Sequence, residues 1–232
     1  MCHRSFRRFM LYCREYESEE LSSLLDNPDS YMNGAIACLK LGNSATVALI
    51  ELDGRRLVLK RYNIKDFGHR LKRAIQPSRA AISWLNAQSL KSRGIPSVSP
   101  VGMVEERYGP FRSRAYFVAK EVVGPDAFTY FTTAEGQAYQ RENVAQALVD
   151  LIVQMGRAGF VQTDTKAKNF VVSSQGPVLV DLDGVEQFRW SYNFQRAFDN
   201  CWRPLMASWK HYPEIEMMFR RLLKQAGIDY PK

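Results

Sequence analysis

Short alternating runs of apolar and polar residues dominate the chain from about position 35 to 123, and helical spacing takes over from there to the end. Ala37-Cys38-Leu39-Lys40-Leu41, Val47-Ala48-Leu49-Ile50-Glu51-Leu52 and Leu57-Val58-Leu59-Lys60 read as successive strands, and Asp53-Gly54 is a hairpin signal between the last two. Residues 101–106 and 115–123 predict two more strands around the turn Tyr108-Gly109-Pro110. One helix interrupts the series, because Ala80, Trp84, Ala87 and Leu90 recur at threes and fours between Ser78 as N-cap and Gly94 as stop. The expectation is a five-stranded antiparallel sheet with one helix beside it. Further on, Val144, Leu148, Leu151, Ile152 and Met155 share one face of a helix that should end near Gly156 to Gly159. Two more helices are expected over about 193–210 and 213–225, the second with Ile215, Met218, Phe219 and Leu222 as its apolar stripe. At the other end, residues 1–33 predict a helix followed by the turn Asp26-Asn27-Pro28-Asp29.

The stretch between the long helix and the last two carries the candidate chemistry. Phe170-Val171-Val172 and Val178-Leu179-Val180 are β-rich runs separated by Ser173-Ser174-Gln175-Gly176-Pro177, which predicts a hairpin. That hairpin should return Asp181 to the side of Asn169. Just upstream stands Asp164-x-Lys166-x-x-Asn169, so a carboxylate, an ammonium and an amide lead into the first strand. Asn169 and Asp181 offer hard oxygen atoms of the kind that magnesium prefers, with phosphate and water completing its shell.

Composition narrows the alternatives. With 232 residues and 46% hydrophobic content the chain can bury a full core in one domain or two closely joined lobes. Cys2, Cys13, Cys38 and Cys201 lack C-x-x-C spacing, which argues against a zinc site and for a reducing, cytoplasmic setting. The apolar run Phe9-Met10-Leu11-Tyr12 is too short for a signal peptide, and no stretch approaches a membrane span. The net charge of +8 is densest over residues 55–73, with eight Lys or Arg against one Asp. No nucleic-acid-binding signature accompanies that patch, so nucleic acid is not expected as a partner, and an anionic substrate competes with a plain solvated face.

On the residues from about 37 to 209 the chain resembles the lipopolysaccharide kinases of Gram-negative bacteria, which act on heptose or Kdo sugars of the inner core and share the protein-kinase fold. The resemblance rests on Leu57-Val58-Leu59-Lys60-Arg61-Tyr62, Ser78-Arg79-Ala80, Gly94-Ile95-Pro96 and above all the Asp164 to Asp183 region, with Asp-Leu-Asp in place of Asp-Phe-Gly. It implies an α+β, two-lobed fold with an N-lobe over 35–123, a mostly helical C-lobe over 124–232, and an extension over 1–34. It also implies ATP and magnesium as cofactors. Gly42 and Ser44 would lie in the turn covering the phosphates, Lys60 would reach the α and β phosphates, and backbone groups of Glu121 and Val123 would hold adenine. Asp164 would take the proton of the acceptor hydroxyl, Lys166 would neutralise the transferring phosphoryl, and Asn169 and Asp181 would hold the metal, with Asp183 assisting. The acceptor would be the lipopolysaccharide core, met at the anionic inner face of the cytoplasmic membrane. Two departures stand out: Gln162-Thr163 precedes the Asp where His-Arg or His-Gly is usual, and no acid occurs between Asp66 and Glu105 to serve Lys60. Asn86 or Gln88 is the alternative for orienting Lys60. The rival functions are a pseudokinase scaffold and a kinase of soluble small molecules of the aminoglycoside-kinase kind. The absence of an Ala-Pro-Glu motif and of a long activation segment favours a small hydroxyl over a protein acceptor.

Overall fold

The computed structural model describes residues 1–63, 76–108, 111–133, 138–188, 192–228 and 230. They divide into two compact units, Met1–Ser89 with Val98–Glu121, and Leu90–Ser97 with Val122–Lys232. The basic stretch with Lys65, Arg70, Lys72 and Arg73 lies outside the described residues.

The first unit is built on one antiparallel sheet. Its strands are β1 (Cys2–Arg4), β2 (Arg8–Tyr12), β3 (Ala37–Leu41), β4 (Ala45–Leu52), β5 (Arg55–Tyr62), β6 (Pro100–Tyr108) and β7 (Phe111–Lys120), in the order β1-β2-β6-β7-β5-β4-β3. The five strands expected from the sequence are β3 to β7, and the count of five is corrected to seven. The additional pair comes from the chain start, where a helix was expected. Residues 8–12 are too few to show a period of their own, and β2 is fixed by a distant partner: Met10 pairs with Val104 and Phe9 with Glu105. The helical expectation holds only further on, in α1 (Glu19–Asp26) and α2 (Pro28–Asn33). Ser18 caps α1 by accepting the Leu21 N–H at 3.0 Å, satisfying one of the donors that a helix start leaves unpaired.

Both faces of this sheet are covered. On one, Leu21, Leu24 and Leu25 of α1 pack with Met10, Ile50, Leu52, Leu57, Leu59, Val104, Tyr116 and Val118. Each such leucine contributes about 1.5–3 kcal/mol by leaving water, so α1 is part of the core. On the other face lies α3 (Arg79–Lys91), which buries Ala80, Trp84, Ala87 and Leu90 as its periodicity predicts. Ser78 caps it, accepting the Ala81 N–H at 3.1 Å. The Tyr62 hydroxyl of β5 meets the Ser83 hydroxyl of α3 at 2.7 Å.

In the second unit α4 (Ala127–Thr133), α5 (Ala138–Arg157), α6 (Tyr192–Ala207) and α7 (Pro213–Gln225) accompany two small two-stranded antiparallel sheets. These pair β9 (Phe170–Ser173) with β10 (Gly176–Leu179), and β8 (Phe160–Gln162) with β11 (Val185–Gln187). The buried face of α5 is Ala145, Leu148, Val149, Leu151, Ile152 and Met155, with Val144 at its margin. Phe131, Trp209 and Phe219 interlock as edge-on and stacked rings with centroids 5.3–5.5 Å apart, a spacing at which aromatic pairs add to simple burial. Among the described residues no helix is long and apolar enough to cross a membrane.

Candidate active site

In the second unit the chain runs from β8 through a tight loop and a 3-10 turn, Ala167–Asn169, into β9. That turn is closed by backbone bonds, Lys166 N–H to the Asp164 carbonyl at 2.9 Å and Asn169 N–H to the Lys166 carbonyl at 2.8 Å. The Asn169 side chain tightens it further, its Nδ2 donating to the Asp164 carbonyl at 2.6 Å. This fixes the amide's orientation and leaves Oδ1 as the atom able to face a cation. The Asp164 carboxylate is half exposed, and Lys166 Nζ reaches its Oδ2 at 3.0 Å. So Asp164, Lys166 and Asn169 form one compact group.

Asp181 joins it through the β9–β10 hairpin. Phe170 pairs with Leu179, and the Val180 N–H donates to the Asn169 carbonyl at 2.9 Å. The residue after Val180 is therefore returned beside Asn169, as the hairpin pattern predicts. An amide oxygen and a carboxylate suit magnesium, which takes few protein ligands. No group of three or more His, Cys, Asp or Glu side chains is placed to hold a metal among the described residues. A magnesium ion here would draw the rest of its shell from phosphate and water.

Gln162, met in the sequence only as a departure from the usual His, is the residue that the sequence reading underrated. Its side chain is 2% exposed. Its Nε2 donates to the Asp181 carbonyl at 2.6 Å, and its Oε1 accepts the Asp164 N–H at 3.2 Å. One buried amide thus holds the backbones of both carboxylate residues. Gly184 makes room for it, since a Cβ there would overlap Gln162 Oε1. The loop is held from below as well: the buried Thr165 hydroxyl donates to the Cys201 carbonyl, and Ser208 Oγ accepts the Ala167 N–H at 3.2 Å. Threonine and serine at such positions carry no periodic signal, so only tertiary structure shows their part.

The remaining predicted residues lie mostly in the first unit. Lys60 sits on β5 between Val47 and Phe117, on the sheet face that α3 covers, with Nζ 4.9 Å from the centroid of the Tyr62 ring. Gln88 directs its Nε2 to Cys13 Sγ at 3.5 Å. A buried acid does stand on this face. Glu105 of β6, 1% exposed, accepts two bonds from Arg107 at 3.0 and 2.6 Å and one from the Ser78 N–H at 3.3 Å. Gly42 and Ser44 belong to the β3–β4 turn, which is fastened by Gly42 N–H to Ala45 O at 3.1 Å, by Asn63 Nδ2 to Gly42 O at 2.9 Å and by Arg79 to Ser44 O at 3.1 Å. Leu41, just before it, is 84% exposed. Glu121 closes the first unit, paired with Arg56 at 2.9 Å, and Val123 in the second is exposed. Gly124 follows in a conformation with φ +148°, where a Cβ would overlap the Val172 carbonyl.

No family model and no curated protein matches the chain. Among solved structures, WaaP in complex with acyl carrier protein superposes with a TM-score of 0.61 at 14% identity, covering 94% of both chains. The chain has a protein-kinase-like fold. The kinase domain of Mycobacterium tuberculosis PknI is also matched, at 13% identity and a TM-score of 0.46 over 75% of this chain and 70% of that one. The group around Asp164 lies in the second unit and the strand with Lys60 in the first.

Proposed function

We propose that the protein is an ATP- and magnesium-dependent phosphotransferase acting on a sugar hydroxyl of the lipopolysaccharide inner core, a heptose or Kdo. The observation that carries this reading is the assembly of Asp164, Lys166, Asn169 and Asp181 by one turn and one hairpin, on a fold shared with WaaP. Bound ATP with its magnesium supplies an activated phosphoryl group. Asp164 orients the acceptor hydroxyl and takes its proton through the carboxylate oxygen that Lys166 leaves open. The Lys166 ammonium, already 3.0 Å from that carboxylate, neutralises charge on the phosphoryl oxygens. Asn169 and Asp181 would hold the cation, and Gln162 keeps their spacing from Asp164. Lys60 would serve the α and β phosphates, the β3–β4 turn with Gly42 and Ser44 would cover them, and the Glu121 carbonyl and Val123 N–H would hold the base.

The choice of acceptor is supported by the short path from Asp181 through β11 to α6, which leaves no room for a long segment to dock a protein substrate. The natural setting of such an acceptor is the inner membrane surface, with acyl carrier protein a further partner to test because WaaP is described in complex with it. The deciding experiment is transfer of labelled phosphate from ATP to purified, dephosphorylated core lipopolysaccharide. Transfer to core but not to an aminoglycoside supports the reading. ATP binding without product on any core sugar replaces it with a pseudokinase scaffold.

A further inference from the structure

The β1–β2 turn presents an aromatic side chain among cations at the outer edge of the sheet. Phe6 is 67% exposed, and Arg4 and Arg7 beside it are exposed too. A single exposed aromatic residue is ordinary. What sets this one apart is its mounting. The Ser5 N–H donates to the Arg8 carbonyl at 2.8 Å, and Ser5 Oγ accepts the Arg8 N–H at 3.0 Å. The Arg107 N–H of β6 donates to the Arg7 carbonyl at 2.7 Å. The turn is thus a fixed projection, with little ordering left to lose on contact.

The charges that the turn itself carries have one sign. Residues 1–14 contain four arginines and no acid. Arg8 is paired with Asp26 at 2.8 Å, and Arg14 lies beyond the far end of β2, whereas Arg4 and Arg7 have no acidic partner among the described residues. An apolar ring flanked by arginines on a rigid turn matches the layered chemistry of an anionic bilayer, where phosphate lies above an apolar interior. Duplex nucleic acid offers the charge, but its base faces stay stacked inside the helix.

We propose that the turn from Arg4 to Arg8 is a membrane contact, in which Phe6 enters the interfacial region of an anionic bilayer while Arg4 and Arg7 engage lipid phosphates. This deepens the reading of a lipid-linked acceptor, but it is tested without nucleotide or turnover, so either idea can fail alone. The full chain is sedimented with vesicles of phosphatidylcholine containing a minority of phosphatidylglycerol, beside vesicles of phosphatidylcholine alone. Binding is expected only with the anionic lipid. Phe6→Ala should weaken it about tenfold, in line with losing part of a phenyl ring's burial. Arg4→Gln with Arg7→Gln should weaken it roughly 20–30-fold, with the loss shrinking as salt rises. Phe6→Trp supplies an independent readout, since brominated lipids should quench the added tryptophan when vesicles are anionic. Equal binding of wild type and Phe6→Ala, absence of added quenching, or no vesicle binding at all overturns the proposal. So does binding of an oligonucleotide with no binding of vesicles, which would reassign the turn to a soluble polyanion.

Discussion

The side-chain amide of Gln162 bonds to the backbone of Asp181 at 2.6 Å and, through its oxygen, to the backbone of Asp164 at 3.2 Å. A histidine at this place could not present a donor and an acceptor from one planar end in the same way. Gln162→Leu keeps the approximate volume and removes both bonds. Each backbone group left without a partner costs about 1–3 kcal/mol, so urea unfolding should show a loss of that order, with activity falling more than stability. A variant as stable and as active as the wild type contradicts the assigned role.

Asp164→Ala should abolish phosphate transfer while leaving nucleotide affinity nearly intact, because this carboxylate serves the acceptor and not ATP. Parallel measurement of turnover and of ATP binding checks it. Residual activity within about tenfold of wild type would exceed what loss of a general base permits.

Asp181→Asn keeps the shape of the side chain and removes the charge that a divalent cation needs. The expected result is weaker magnesium-dependent ATP binding, read from a magnesium titration at fixed nucleotide. If the titration is unchanged, Asp181 is only the end of a strand.

Asp29, at the start of α2, bonds to Arg61 at 2.9 Å and Arg114 at 2.8 Å. Burial alone would raise its pKa, but the Arg61 hydrogen bond and the charges of Arg61 and Arg114 outweigh that and hold it below the ordinary carboxylate value. A depressed folded-state pKa stabilises the protein above the unfolded pKa, and the contribution disappears as pH falls through the folded value. Asp29→Asn should therefore cost about 1 kcal/mol at neutral pH, as befits a partly exposed network, and progressively less in acid. Thermal unfolding followed from neutral to acidic pH measures the difference. A constant offset at every pH would mean that the carboxylate charge is not what Asp29 contributes.

Much of this molecule was legible in its residues because local signals and global packing agree. The β9–β10 hairpin follows from two apolar runs around Ser173-Ser174-Gln175-Gly176-Pro177, of which Ser174-Gln175 make the turn and Gly176-Pro177 open β10, and α3 follows from Ser78, Gly94 and the spacing of Ala80, Trp84, Ala87 and Leu90. β1 and β2 were not legible, because five residues have no measurable period and the partner of Met10 lies on β6. Glu105 escaped notice for a related reason. It looks like a surface charge within the run Glu105-Glu106-Arg107 and becomes a buried acid only when β6 is enclosed beneath the start of α3. Gln162 was visible as an unusual residue, but its use depends on β8 pairing with β11 across Gly184.

The pairing of Met10 with Val104 also sets a timetable for synthesis. β2 leaves the ribosome long before β6 exists, and at usual elongation rates the wait is about 5 to 20 s. During that time Phe9-Met10-Leu11-Tyr12 has only the three-residue β1 to pair with and lacks its β6 neighbour, a state open to capture by other nascent chains or by chaperones. Slower translation of residues 13–104 should therefore lower the soluble yield, and a silent-codon change in that interval would act on this protein without altering one atom of its folded form.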